Sequence, residues 1–441
     1  MATRSITARI GGDPRAELFR LFDSAAGPRL LIIPHSRIFA IDSAFANALR
    51  AGDPQATMEA AALGADLDGD VPLDSVPNTT PQSISLNVSS TCNLACGYCY
   101  AGRGGFGGAQ SSAMSWNVAR GAIDLLLSSA NPAAPITIGF IGGEPFLSRK
   151  LIRKAVEYCW EKARQRRLTV RFAVTTNGTV LAREDIEFLR AYPFAVTVSI
   201  DGGAASQDAQ RPSVTGHSSF AALRDSIGPL LETPGLAKVA ARATVVRANL
   251  EIGDRFDEII GLGFREAGFS PVRIGPSEYR LRQGDWRLYL DSMIGVARRE
   301  LKAALSGEPI RLSNLAIALK QLHRGFSMPY PCGAGGGYFS VAADGTWYAC
   351  HRAIGQPSYA LGGNEGLDEI RRASFLQSRH VHAQSECRVC WARYLCSGGC
   401  HQEASARSDS SCGFIRGWLD FCLGAYSELI EGRPDWFTAQ S

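Results

Sequence analysis

The sequence contains no run approaching the roughly 18 apolar residues of a membrane-spanning helix, no internal repeat, no low-complexity segment and no block of lysine or arginine. The first absence leaves no candidate membrane-spanning helix in this sequence. The last removes the usual footprint of a nucleic-acid or anionic-membrane partner, and the net charge is only +4 over 441 residues. What remains, 45% hydrophobic and 20% charged residues, is ordinary for a globular chain long enough for two or three domains. Residues 1–12 lack the apolar stretch of a secretory signal, so the expectation is a cytoplasmic protein.

Cysteine, by contrast, is plentiful, at twelve residues. In a reducing compartment disulfides are rare, and metal ligation is the better account of so many thiols. Cys92, Cys96 and Cys99 are separated by three and then two residues, with Tyr98 just before the third. Iron–sulfur cubanes normally take four thiolates, so a compact triplet leaves one iron open to a substrate or cofactor. Half of a zinc site, or buried structural cysteines, are the competing readings.

From residue 83, apolar or β-branched runs at 84–88, 136–141, 170–175, 194–200, 239–246 and 272–274 alternate with helix-like segments such as 116–129, 150–166 and 220–231. Six β/α units in succession require crossovers and a parallel sheet. In such barrels the active-site residues gather at the carboxyl ends of strands. The triplet begins just after the first run, Gly142-Gly143-Glu144-Pro145 follows the second, Thr175 to Gly178 the third, and Ser199 to Gly202 the fourth. Glycines permit close backbone approach, and a carboxylate accepts from an ammonium. Residues 102–107 read G-x-G-x-x-G but do not sit between a strand and a helix; they are expected to form a mobile loop.

The triplet and the Gly-Gly-Glu-Pro segment resemble the signatures of the radical S-adenosylmethionine (SAM) enzymes. That resemblance implies an α/β fold with an open (β/α)6 barrel. Cys92, Cys96 and Cys99 would hold a [4Fe–4S] cluster whose free iron chelates SAM, with Gly142, Gly143, Glu144 and Pro145 at its methionyl amino group. Tyr98, Asn177, Ser199 and Arg242 are the further cofactor-binding candidates, and Asp201 is a cofactor contact or a catalytic base. As polar residues at strand ends, Ser199 and Asp201 are equally readable as turn formers.

Segments 285–306 and 314–324 read as bridging helices, and from Pro331 the chain becomes rich in Gly and Cys, as in a small domain held by metal rather than by a large core. Cys159 shares a helical face with Ile152, Val156 and Trp160 and reads as core. Eight cysteines are left: Cys332, Cys350, Cys387, Cys390, Cys396, Cys400, Cys412 and Cys422. Their spacing resembles the SPASM domain, which binds two auxiliary [4Fe–4S] clusters in radical SAM peptide maturases, with zinc as the alternative metal. By that resemblance Cys387, Cys390, Cys396 and a distal cysteine, preferably Cys422, serve the second auxiliary cluster, and Cys332, Cys350 and Cys400 the first. Cys412 either closes the first cluster or leaves it with an iron open to a substrate thiolate.

His351-Arg352 follows Cys350. Sulfatase-maturing relatives place Asp where this chain has His351, and the Cys-His-Arg sequence instead resembles enzymes that build thioethers in peptides, including those maturing the quinohemoprotein amine dehydrogenase small subunit. His351 is thus the other candidate base, with a structural donor beside a cluster as its alternative role.

The expected organisation is a small α+β unit at 1–65 with strands at 30–34 and 37–41, a linker at 66–82, the barrel at 83–282, bridging helices at 283–330 and the SPASM domain at 331–441. The first unit is read as a leader-peptide-binding domain or as an extension packed on the rest. The expected partners are a ribosomally made peptide or protein and an electron donor such as flavodoxin or ferredoxin, and the expected product is an intrapeptide thioether. Carbon–carbon crosslinking, epimerisation, formylglycine formation, a non-catalytic iron–sulfur carrier and a zinc scaffold are the alternatives.

Overall fold

The computed structural model describes residues 18–65, 79–106, 113–232 and 238–438, arranged as two compact units. Most of the expected linker, and the end of the 102–107 loop, lie outside the described residues; Gly102–Gly104 forms a short 3-10 turn.

One unit takes residues 1–76, 286–332 and 377–441. Its strands β1 (Phe19–Ser24), β2 (Gly27–Ile32) and β3 (Arg37–Ala40) form an antiparallel sheet in that order. Alternation along β1 and β2 sends Phe19, Leu21, Leu30 and Ile32 into a core shared with Ala46, Leu49, Ala56 and Ala60, which lie on helices Ser43–Ala51 and Pro54–Ala65. Asp42 caps the first of these helices by accepting from the Phe45 N–H at 2.8 Å. The 24-residue helix Asp409–Gly432 belongs to the same unit, where its Asp420 pairs with Arg20 at 2.8 Å and its Glu431 with Arg29. The N-terminal sheet therefore shares a unit with the end of the chain, which differs from the separate domain expected over 1–65.

The other unit takes residues 77–285 and 333–376. Strands β4 (Ser83–Ser89), β5 (Ile136–Gly142), β6 (Val170–Thr176), β7 (Phe194–Ser199), β8 (Lys238–Val245) and β9 (Ala267–Pro271) pair in sequence order, every pair parallel. β9 and β4 do not pair, so this is the open six-strand barrel expected. The sixth strand lies earlier than the 272–274 run because Gly268 and Ser270 dilute its apolar signal; Val272 only extends it, donating to the Val245 carbonyl. Phe172 lies 5.3 Å from Phe194 and 6.5 Å from Phe140, an aromatic row across β5 to β7. Cys159, on helix Arg149–Gln165, is fully buried, as expected, and burial pushes its thiol up to about 12.

The free edge of β4 is taken by β10 (Tyr338–Val341), also parallel, followed by β11 (Trp347–Tyr348), β12 (Ala360–Gly363) and β13 (Gly366–Leu367). Residues 333–376 thus extend the barrel sheet, and the expected 331–441 domain is divided between the two units. Among the described residues no helix is long and apolar enough to cross a membrane.

Candidate active site

Four segments leave the carboxyl ends of adjacent parallel strands, which is why chain-distant motifs meet. The triplet follows β4, Gly142 to Pro145 ends β5, Thr176-Asn177 ends β6 and Ser199 to Asp201 ends β7. Gly142 has φ 151°, and a Cβ there would stand 2.2 Å from the Ser89 carbonyl oxygen. A Cβ on Gly143 would stand 2.1 Å from the Thr91 carbonyl oxygen. The two glycines are needed because the backbone runs against the approach to Cys92. Gly143 N–H donates to the Ser89 carbonyl at 2.8 Å and Glu144 N–H to the Thr91 carbonyl at 2.9 Å.

Glu144 is fully buried. Its carboxylate accepts from Thr176 Oγ1 at 2.7 Å, Asn177 N–H at 2.7 Å and Phe146 N–H at 3.0 Å, tying β5 to β6 and leaving about one of some four acceptor positions for another donor. Burial pushes its carboxyl up to about 6 against those hydrogen bonds. Pro145 opens the buried turn that follows. Asn177 donates to Asn93 Oδ1 at 2.9 Å and lies 3.8 Å from Cys92 Sγ, so one amide spans two motifs.

Cys92, Cys96 and Cys99 are half-buried and within electrostatic reach of one another. Burial pushes Cys96 up to about 12 and raises Cys92, so these two are thiols in the bare site, which metal ligation would deprotonate. Among the described residues no three His, Cys, Asp or Glu side chains converge on a single-ion site; the donor set is to be judged against a cluster of four separated irons. Three such thiols with no acidic ligand fit one that retains an open iron. Asn87 Oδ1 is buried without a partner, 3.1 Å from the Cβ position that Gly142 leaves empty. A donor group of a bound cofactor would satisfy it.

Tyr98 is buried beneath the Arg211 guanidinium, 5.5 Å from its ring centre, and donates its hydroxyl to Asp201. Asp201, fully buried, also accepts from Arg211 Nε at 2.9 Å, Arg211 Nη2 at 3.0 Å and Thr244 N–H at 2.7 Å. Four donors fill a carboxylate's acceptor positions. This overturns the reading of Asp201 as a catalytic base: it has no lone pair to offer a substrate proton, and it positions Tyr98 and Arg211 instead. Arg211 was not singled out from the sequence. It caps a short helix, Ala204–Gln210, where no periodicity marks it, and the next residue, Pro212, accepts from Ala95 N–H at 2.7 Å within the triplet.

Ser199 and Arg242 are register partners on β7 and β8. Arg242 is exposed and donates to Ser270 Oγ at 2.8 Å. Thr244 shares its face two residues nearer the carboxyl end of β8, where its N–H reaches Asp201. His351 is brought toward the triplet: its ring centre is 5.9 Å from that of Tyr100, the residue after Cys99. Its Nδ1 lies 2.8 Å from Tyr338 Oη and 4.0 Å from Cys350 Sγ. Burial, with Arg352 beside it, pushes its pKa down to about 4, so the ring is neutral near pH 7.

In the other unit, Cys387, Cys390 and Cys412 lie within electrostatic reach of one another. Cys422 does not join them. It is fully buried, ten residues further along the same helix and therefore about 15 Å away, and only desolvation acts on its thiol. The preference for Cys422 as distal ligand finds no support in this placement, and Cys412 is the later cysteine that lies with Cys387 and Cys390. Cys396 ends a short helix, Cys400 is half-buried and Cys332 exposed. Among the described residues no cysteine is in a disulfide.

The model of the radical SAM superfamily matches residues 86–224. The chain is similar to the serine-type anaerobic sulfatase-maturating enzyme of Klebsiella aerogenes, 24% identical over 401 residues that cover 84% of this chain and 93% of the relative. In structure it is similar to histidine-tagged anSMEcpe with bound AdoMet, at TM-score 0.68 and 20% identity over 81% of this chain and 97% of that one. It is also similar to Streptococcus suis SuiB bound to precursor peptide SuiA, at TM-score 0.51 and 14% identity over 87% and 94%. At these identities the structural likenesses show the fold.

Proposed function

We propose, from the premise that this chain is a radical SAM enzyme, that it modifies a ribosomally made peptide or protein and that the product is an intrapeptide thioether. The observation that carries the premise is the Cys triplet at the end of β4, locked by Gly142 to Glu144 and flanked by buried groups with open acceptor capacity. Cys92, Cys96 and Cys99 would hold the cluster, with Glu144, Asn87 and the Arg211 side around the cofactor. Loaded and reduced, that pair supplies methionine and a 5′-deoxyadenosyl radical, which takes a hydrogen atom from a substrate carbon. The chain's own work is to orient: Asp201 holds Arg211 cationic and Tyr98 in place, and Glu144 and Asn177 fix the loops around Cys92.

Peptide handling is supported by the names of the similar proteins, a sulfatase-maturating enzyme and an enzyme bound to a precursor peptide. The thioether is supported by the Cys350-His351-Arg352 sequence. By the resemblance to the SPASM domain, Cys332, Cys350 and Cys400 would serve a first auxiliary cluster, and if Cys412 serves the other, three thiolates would leave an iron for a substrate thiolate. His351, neutral and hydrogen-bonded to Tyr338, is the remaining candidate base. The N-terminal sheet's outer strand β3, which among the described residues pairs with β2 alone, would offer an edge to an extended leader peptide, and a flavodoxin or ferredoxin would supply the electron. Formylglycine formation is the second reading, favoured by the sulfatase-maturating relative.

Anaerobic reconstitution tests the class: about twelve irons per chain, for three cubanes, and 5′-deoxyadenosine from SAM under reductant are expected. Bound zinc without iron, or no SAM cleavage, would sink it. Mass spectrometry of a co-expressed Cys-containing peptide then separates the products. A loss of two hydrogens with a cysteine that no longer alkylates supports the thioether, whereas conversion of Cys or Ser to an aldehyde supports the second reading.

A further inference from the structure

Arg407 has no part in the function proposed above, yet its guanidinium is fixed against a cysteine sulfur. Nη1 donates to Cys387 Sγ at 3.0 Å, and Nη2 donates to Gln384 Oε1 at 2.6 Å and to the Gly398 carbonyl. Gln384 is itself held, its amide donating to the Arg379 carbonyl at 2.9 Å. The fork is therefore set from both sides rather than free to swing into solvent. Cys412 sits in the opening turns of helix Asp409–Gly432, whose N-terminus is capped by reciprocal Ser408 and Ser411 contacts at 3.2 and 3.0 Å. Arg416 follows one turn later, and both guanidiniums act on the Cys412 thiol. Three sources of positive potential thus face one group of cysteines: Arg407, Arg416 and the helix N-terminus. Glu386 opposes them.

We propose that Cys412 completes the ligand set of Cys387, Cys390 and Cys396, and that Arg407 is a positioning residue that raises this cluster's reduction potential by donating to a ligating sulfur. The inference rests on the radical SAM reading and deepens it. Reduction adds one negative charge to a cubane, and a hydrogen bond with a full positive charge at the sulfur stabilises the reduced form more than the oxidised one. The cluster so placed is biased to hold an electron.

The test uses the full-length chain, anaerobically reconstituted, in a background where Cys92, Cys96 and Cys99 are replaced by Ala so that only the auxiliary clusters remain. Cys412→Ala is expected to lose about four irons, and Cys422→Ala none. In EPR-monitored dithionite titrations, Arg407→Gln should shift one midpoint to more negative potential and leave the other in place, while Arg407→Lys, which keeps the charge, should recover part of the shift. Full iron in Cys412→Ala, or loss of iron in Cys422→Ala alone, overturns the ligand assignment. An unchanged midpoint in an iron-replete Arg407→Gln protein overturns the role of Arg407, and if the Gln variant does not retain iron, an Arg407→Lys midpoint shifted to more positive potential does so. A background protein that takes up no iron overturns the auxiliary clusters on which both assignments rest, whereas an unmutated chain that cleaves no SAM under reductant overturns the radical SAM reading itself, so the two failures are distinct.

Discussion

Asp201 and Glu144 are both fully buried carboxylates near the triplet, one paired with a guanidinium and the other with neutral donors. Asp201 faces a guanidinium with two hydrogen bonds; Asp201→Asn leaves Arg211 a buried charge without its counter-ion. Breaking a buried pair from one side costs about 3–5 kcal/mol, so urea denaturation should show a loss of that order, with SAM cleavage falling because Tyr98 and Arg211 lose their anchor. Glu144 has only neutral donors in contact, and burial raises it from 4.5 to about 6. The folded chain holds that proton more tightly than the unfolded one, so the contribution is complete below pH 4.5 and is lost as the pH rises through about 6. Glu144→Gln cannot ionise and is expected to flatten that decline, on the order of 2 kcal/mol, in urea midpoints of the unloaded protein followed from pH 4.5 to neutrality. Equal slopes for the two proteins would refute the assignment. From the sequence both residues read as site carboxylates; which donors reach them was not legible, because Arg211 and Thr244 come from other segments.

The turn that ends β5 is the element on which the site depends. Its glycines were legible in the sequence, but the expectation that they admit a ligand was incomplete, since the backbone they admit first is that of residues 89–91. Gly143→Ala would place a methyl group 2.1 Å from the Thr91 carbonyl oxygen, and backbone on both sides has little room to yield. The expected outcome is loss of about four of about twelve irons and of SAM cleavage, with the auxiliary EPR signals retained; a Gly143→Ala protein with full iron and activity would show that the approach is slack. The same scale explains why β9 and β1 were hard to read: each depends on its neighbours for burial more than on an apolar run of its own.

At the scale of the molecule, the N-terminal sheet is wired to the chain's far end inside one unit. Arg20, with its side chain 9% exposed, pairs with Asp420 and lies 4.2 Å above the Trp391 ring, next to Cys390. A chain truncated to residues 79–441 should therefore melt several degrees lower and hold the Cys387 set less well, measured by thermal unfolding and iron content. Independence of both from the removed residues 1–78 would support a freely separable domain. The sequence by itself determined the alternation that makes a parallel open barrel, and the spacing of Cys92, Cys96 and Cys99 with Gly142 to Pro145, because periodicity and short-range spacing are local and survive in one dimension. Only the tertiary structure decided that Asp201 is saturated, that Arg211 stands over Tyr98, and that Cys412 rather than Cys422 meets Cys387. Those are choices of helix face and strand end, and they depend on which segments burial forces together.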